Sequence, residues 1–125
     1  MNFLIVFLGG GIGAILRYCC NLACPKNLFC NFPLATFLAN VLGCLFLGII
    51  LGILQAKINM PPQLKLFLIV GIAGGFTTFS SFSFEIFDFL EKNNTYLAIF
   101  YPILSLTLGI LAITLGIYLS KAVLC

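Results

Sequence analysis

Four runs of about twenty apolar residues, parted by short polar breaks, constrain this chain more than any other feature. A helix needs about 20 apolar residues to cross the hydrocarbon core of a bilayer. The first run covers about Asn2–Leu22 and gives way to CPKNLFCNFP, with Lys26 and Pro33. The second covers about Pro33–Gln55 and stops at AKINMPPQ, which holds Lys57 and the pair Pro61-Pro62. The third covers about Leu64–Leu90, and EKNN closes it. The fourth covers about Thr95–Val123. Runs and breaks together fill residues 1–125, so a single transmembrane domain is expected and function has to reside within it.

Composition agrees. Hydrophobic residues make up 62% of the chain and charged residues 7%, whereas a soluble domain keeps about a quarter of its residues charged. So little polar surface cannot cover a core in water, and the expected class is an all-α integral membrane protein. The N-terminal stretch lacks the basic region of a signal peptide and reads as the first span. The six cysteines, Cys19, Cys20, Cys24, Cys30, Cys44 and Cys125, include no CxxC pair, and the chain has no His. They read as small apolar side chains, and no zinc site is expected.

The basic residues do not orient the spans. Lys57, Lys65 and Lys121 fall on one side of a four-span bundle, and Arg17, Lys26 and Lys92 on the other. The positive-inside rule is therefore tied. The tie leaves two readings open: other determinants fix one topology, or the chain inserts both ways and pairs antiparallel with itself.

Small residues recur four apart as Gly9 and Gly13, Gly48 and Gly52, and Gly71 and Gly75. Such spacing lets helix backbones approach closely, within a bundle or between subunits. Four short helices enclose little volume, so a pathway forms more readily between subunits than within one.

Polar groups at membrane depth need partners or mark a pathway. Arg17, late in the first run, can snorkel to the interface, sit near the favourable C-terminal end of its helix, or draw anions to an entrance. Thr36 and Asn40 stand four apart on one face of the second helix; Asn40 glues helices together or lines a pathway. In the third run, GGFTTFSSFSFE spans Gly74–Glu85. Gly74-Gly75 followed by Thr77-Thr78 can unwind a helix near its middle, which is tolerated at membrane depth only where protein or a water-filled cavity satisfies the freed groups. Phe79 and Phe82 share a face beyond that point, Ser80, Ser81 and Ser83 add hydroxyls, and Glu85 follows one turn on. A phenylalanine packing face with serines bonded back to the helix explains the same residues. In the fourth run, Tyr101 and Ser105 stand four apart, and Thr107 and Thr114 seven apart. Amide, hydroxyl and phenyl-edge groups can donate to a small anion, although hydroxyls and carbonyls also suit cations.

Three segments, GGGIGAILRY, ATFLANVLGCLFLG and GIAGGFTTFSSFSFE, together resemble the Fluc family of fluoride channels, also called CrcB-like proteins. The resemblance covers the whole chain and implies an antiparallel, dual-topology homodimer whose third helix is broken near its middle. It implies a multi-pass protein of the bacterial inner or plasma membrane that passively exports cytoplasmic fluoride and so protects against fluoride toxicity. Its partners would be the fluoride ion, the lipid bilayer and a second copy, with no nucleic acid. By position, Gly74 and Thr77 would offer backbone carbonyls to a structural Na+ at the dimer interface. Phe79 and Phe82 match the phenylalanines whose ring edges line the pores, and Asn40 the pore-lining asparagine. Ser81, Tyr101 and Ser105 fall near the polar wall; Thr36 and Glu85 match positions linked to permeation; Arg17 belongs to the vestibule or the fold. The sequence SSF stands at Ser80–Phe82 where STF is commoner, which keeps a hydroxyl. No catalytic constellation or nucleotide motif is present, so no enzyme is expected. The rival is a small four-helix, dual-topology exporter of cationic compounds. It needs a carboxylate deep in the membrane, and Glu85 is the one candidate.

Overall fold

The computed structural model describes residues 1–25, 32–56 and 58–124. Lys26, Cys30, Lys57 and Cys125 lie outside the described residues, and with them two of the six charges in the topology tie. Every regular element among the described residues is a helix, with no strand. Helix α1 runs Asn2–Ala23 and α2 Leu34–Gln55. The third span, Pro62–Glu91, opens with α3 (Pro62–Lys65), continues as π-helix over Leu66–Ala73 and ends its first arm in α4 (Gly74–Phe76). Thr77 (φ −78°, ψ 154°) and Thr78 (φ −146°, ψ 125°) are extended. The second arm, α5, runs Phe79–Glu91, and α6 runs Thr95–Leu124. The four spans are long and apolar enough to cross a membrane.

Local chemistry sets these limits. Pro62 starts α3 at a position where a missing N–H is harmless. The Thr78 side chain caps α5 by accepting from the Ser81 amide. Asn93 turns the chain between α5 and α6 in the left-handed region (φ 55°), which Asn tolerates better than most residues. Asn94 then accepts from the Leu97 amide at the start of α6.

Two helix pairs form the bundle: α2 lies along α6, and α1 lies along the first arm of the third span. Glycine makes both pairings close. A Cβ at Gly71 would stand 2.8 Å from Gly9 Cα, and one at Gly75 would stand 2.5 Å from Gly10 O. On the other pair, a Cβ at Gly116 would stand 2.6 Å from Leu45 O, and one at Gly48 would run into Ile113 O. The spacing seen in sequence thus serves contacts inside one protomer. Ser120 adds a polar tie, donating to Ile49 O at 2.9 Å across the α2–α6 seam.

The outer faces are apolar and bare. Phe3, Phe7, Ile15 and Tyr18 on α1 are exposed, as are Phe84 and Phe87 on α5 and Ile103, Leu106 and Ile110 on α6. In a bilayer such a surface is satisfied by lipid or by another protein. Arg17 is half-buried and sits six residues before the end of α1. The macrodipole acts within the last turn, so it does not account for this arginine.

Candidate functional site

The site gathers where the two arms of the third span meet α2 and α6. Asn40 on α2 faces extended Thr78 and takes both of its backbone groups. Asn40 Oδ1 accepts from the Thr78 amide at 2.8 Å, and Asn40 Nδ2 donates to the Thr78 carbonyl at 3.1 Å. This is the helix-joining role in a specific form, a clamp on non-helical backbone. One N–H of the carboxamide remains beyond that pair. Thr77 bonds back to its own arm, its hydroxyl donating to Ala73 O at 2.9 Å. Thr78 Oγ1 accepts from the Ser81 amide and lies 3.3 Å from the hydroxyls of Ser80 and Ser81.

These bonds redirect two helical donors. In a continuous α-helix the Thr78 amide would reach Gly74 O and the Ser81 amide would reach Thr77 O. Here the first goes to Asn40 and the second to the Thr78 hydroxyl. No other hydrogen bond among the described residues ends on either carbonyl.

A cavity of about 430 Å³ opens beside this joint. Gly74 and Thr77 line it, together with Asn40, Phe79, Phe82 and Ser105. Ser105 is 9% exposed and its hydroxyl has no partner among the described residues, whereas helix hydroxyls usually bond to a carbonyl one turn back. Thr107 and Thr114 on the same helix do so, at 2.7 and 3.1 Å to Ile103 O and Ile110 O. Cys44, one turn beyond Asn40, also borders the cavity and is a free thiol. Gly43 lets the joint close, because a Cβ there would collide with Thr77 Cγ2.

Phe79 and Phe82 are neighbours in opposite surroundings. Their ring centroids are 6.1 Å apart, yet Phe79 is 80% exposed and Phe82 8%. Phe82 belongs to a buried cluster with Tyr101, Phe89, Leu97 and Ala98, and its ring lies 5.1 Å from that of Tyr101. Phe32 stands edge-on to Tyr101 at 5.3 Å.

On the far side of that cluster lies a second cavity, of about 390 Å³, bordered by Thr36, Glu85, Phe32 and, from α1, Tyr18 and Asn21. Glu85 is held from two helices: Thr36 on α2 donates to one carboxyl oxygen at 2.5 Å and Tyr101 on α6 to the other at 2.8 Å. Tyr101 is fully buried. Thr36 and Asn40, one turn apart on α2, therefore belong to different cavities, as do Glu85 and Phe82 on α5.

The structure thus brings Asn40, Phe79, Phe82, Ser105, Gly74 and Thr77 to one cavity, and Thr36, Tyr101 and Glu85 into one hydrogen-bonded set. Ser81 is exposed and reaches the joint through its bonds to Thr78. Arg17 joins neither group; its carbonyl accepts from Asn21 Nδ2 at 3.4 Å. In the sequence Thr78 was read only as part of the helix break and not as a cap. Its signal was there: a Thr directly before a helical run, with a residue three on to cap. Among the described residues, no cluster of three or more His, Cys, Asp or Glu could hold a metal.

Comparison with known proteins places the chain. The family model described as CrcB-like protein, Camphor Resistance (CrcB), matches residues 4–117. A relative from Flavobacterium psychrophilum named fluoride-specific ion channel FluC is 42% identical over 93% of this chain and 94% of its own length. One of the same name from Phocaeicola vulgatus is 41% identical over 96% and 98%. Another, from a Methylobacterium species, is 43% identical over 93% of each. Nothing in these comparisons supports an exporter of cationic compounds. With matches of this extent over four membrane-spanning helices, the chain is a multi-pass membrane protein and belongs to the CrcB-like family.

Proposed function

We propose that this chain is one subunit of a passive, fluoride-selective channel that lets cytoplasmic fluoride leave down its electrochemical gradient. The observation that carries the reading is Ser105: a buried hydroxyl without a partner among the described residues, on a residue that lines the same cavity as Asn40, Phe79 and Phe82. Its proton has no acceptor among the described residues, so it is free for an anion. The spare carboxamide N–H of Asn40 and the positive edges of the phenyl rings offer the same kind of donation. The N-terminus of α5 adds its positive dipole end at the same place. These donors are neutral. They can replace water around a small anion without the trapping strength of a fixed charge, as a conducting site requires.

The active unit in this reading is an antiparallel, dual-topology homodimer. Its support is the tied loop charge and the exposure of Phe79 on a face that opens into the cavity. Thr77 and Thr78 make the third span a broken transmembrane helix, of the kind that presents carbonyls to cations and amides to anions. Gly74 and Thr77 border the cavity, and their carbonyls have lost their helical donors. Neutral backbone oxygen suits a hard cation such as Na+. A cation held there supplies fixed positive charge that raises the local potential for anions. Glu85, with both oxygens engaged by Thr36 and Tyr101, borders the second cavity and shapes the approach to the phenylalanines.

Ion efflux from liposomes holding the purified protein tests the function. Fluoride should leave rapidly and chloride negligibly. Equal rates for the two anions, or no fluoride efflux from a correctly folded preparation, would sink the proposal.

A further inference from the structure

We infer that Asn40 and Thr78 are positioning residues for the cation site, each keeping one carbonyl open by taking away the amide that would close it. The inference rests on the cation reading above and assigns what creates the site.

Freed carbonyls are common where a helix ends, and they are usually recaptured by amides a turn away. At this joint the recapture is blocked twice. The amide four residues after Gly74 is that of Thr78, and Asn40 Oδ1 holds it at 2.8 Å. The amide four residues after Thr77 is that of Ser81, and Thr78 Oγ1 holds it at 3.3 Å. The carbonyls of Gly74, Gly75, Phe76 and Thr77 accept no backbone amide among the described residues, and of these four residues only Gly74 and Thr77 border the cavity. The second bond of Asn40, from Nδ2 to Thr78 O, fixes the direction of the carboxamide and keeps Thr78 extended. A single side chain therefore borders the anion cavity and opens the carbonyl assigned to the cation. Loss of Asn40 affects two ions through two different atoms.

The test measures cation affinity apart from conduction. Purified full-length protein in detergent is melted while NaCl replaces N-methyl-D-glucamine chloride, and the half-saturating Na+ concentration is read from the rise in melting midpoint. In Asn40→Leu the Thr78 amide is free to return to Gly74 O. In Thr78→Val the Ser81 amide is free to return to Thr77 O. Each variant should raise the half-saturating concentration by about tenfold, the equivalent of one hydrogen bond regained by a competing donor. Thr78→Ser keeps the capping hydroxyl and should stay near the wild-type value.

A wild-type response that Asn40→Leu and Thr78→Val share unchanged overturns the inference and leaves the cation reading standing. A rise in only one of the two overturns the paired assignment. No Na+ dependence in the wild type removes the cation site and the inference with it. If Asn40→Leu does not fold, Thr78→Val with Thr78→Ser as its control decides the question.

Discussion

The two arms of the third span are built on opposite plans. The first arm, up to Phe76, meets α1 backbone to backbone: Gly71 against Gly9, and Gly75 against Gly10. No side-chain hydrogen bond joins it to α1 among the described residues. The second arm, α5, meets its neighbours through side chains. Phe82 and Phe89 enter the aromatic cluster around Tyr101, and Glu85 takes hydroxyls from α2 and α6. Close backbone packing admits little motion, because nothing at the contact can change rotamer. Side-chain packing leaves polar and aromatic groups free to face a cavity. The candidate site lies at the joint, where a rigid support meets an adaptable wall.

The comparison breaks most readily in the first arm. Gly75→Ala should destabilise the protein by about 1–3 kcal/mol, as overpacking does. Gly11→Ala, whose Cβ meets nothing within 4 Å, should change it by no more than about 0.5 kcal/mol. Thermal unfolding in detergent compares them, and equal effects would remove the backbone-contact account. Next in size, Tyr101→Phe leaves Glu85 with one donor fewer and should cost about 1.5 kcal/mol. A double-mutant cycle with Thr36→Val should show coupling, since both hydroxyls serve one carboxyl group; strict additivity would contradict the shared set. Ser105→Ala sharpens the contrast. Its hydroxyl bonds to nothing among the described residues, so stability should move by less than about 0.5 kcal/mol, while fluoride efflux falls about tenfold with the loss of one donor to the ion. Unchanged efflux would take Ser105 out of the pore. The smallest effect belongs to Lys92→Met at the outer end of α5. It removes an exposed i,i+4 pair with Asp88, which should cost about 0.5 kcal/mol or less and leave efflux untouched.

Sequence and structure agree where one helix suffices to carry the information. Four apolar runs announce four spans because span length is a property of each run alone. The glycine pairs announced close approach, but not whether it falls inside a protomer; that depends on which helix lies opposite. Thr36 and Asn40 share a face by spacing, yet one reaches Glu85, 49 residues on, and the other Thr78, 38 residues on. Spacing names a face and is silent on its partner. Glu85 looked isolated in the sequence for the same reason. Ser105 was legible as a polar residue but not as an unpaired one, because Thr107 and Thr114 resemble it in sequence and bond back to their own helix. Arg17 lies six residues before the end of α1, outside its last turn, so of the readings open in the sequence the macrodipole does not account for it.

The glycine contacts also divide by what can be forgiven. At Gly43 the obstacle to a larger residue is Thr77 Cγ2, a side-chain methyl. Thr77→Ser would delete that methyl, so an alanine at Gly43 has an available suppressor elsewhere in the chain. At Gly75 the obstacle is Gly10 O, and every amino acid brings the same carbonyl. No second-site exchange at position 10 can make room. Over generations the joint can be renegotiated by pairs of changes, while the seam between α1 and the first arm admits only reversion.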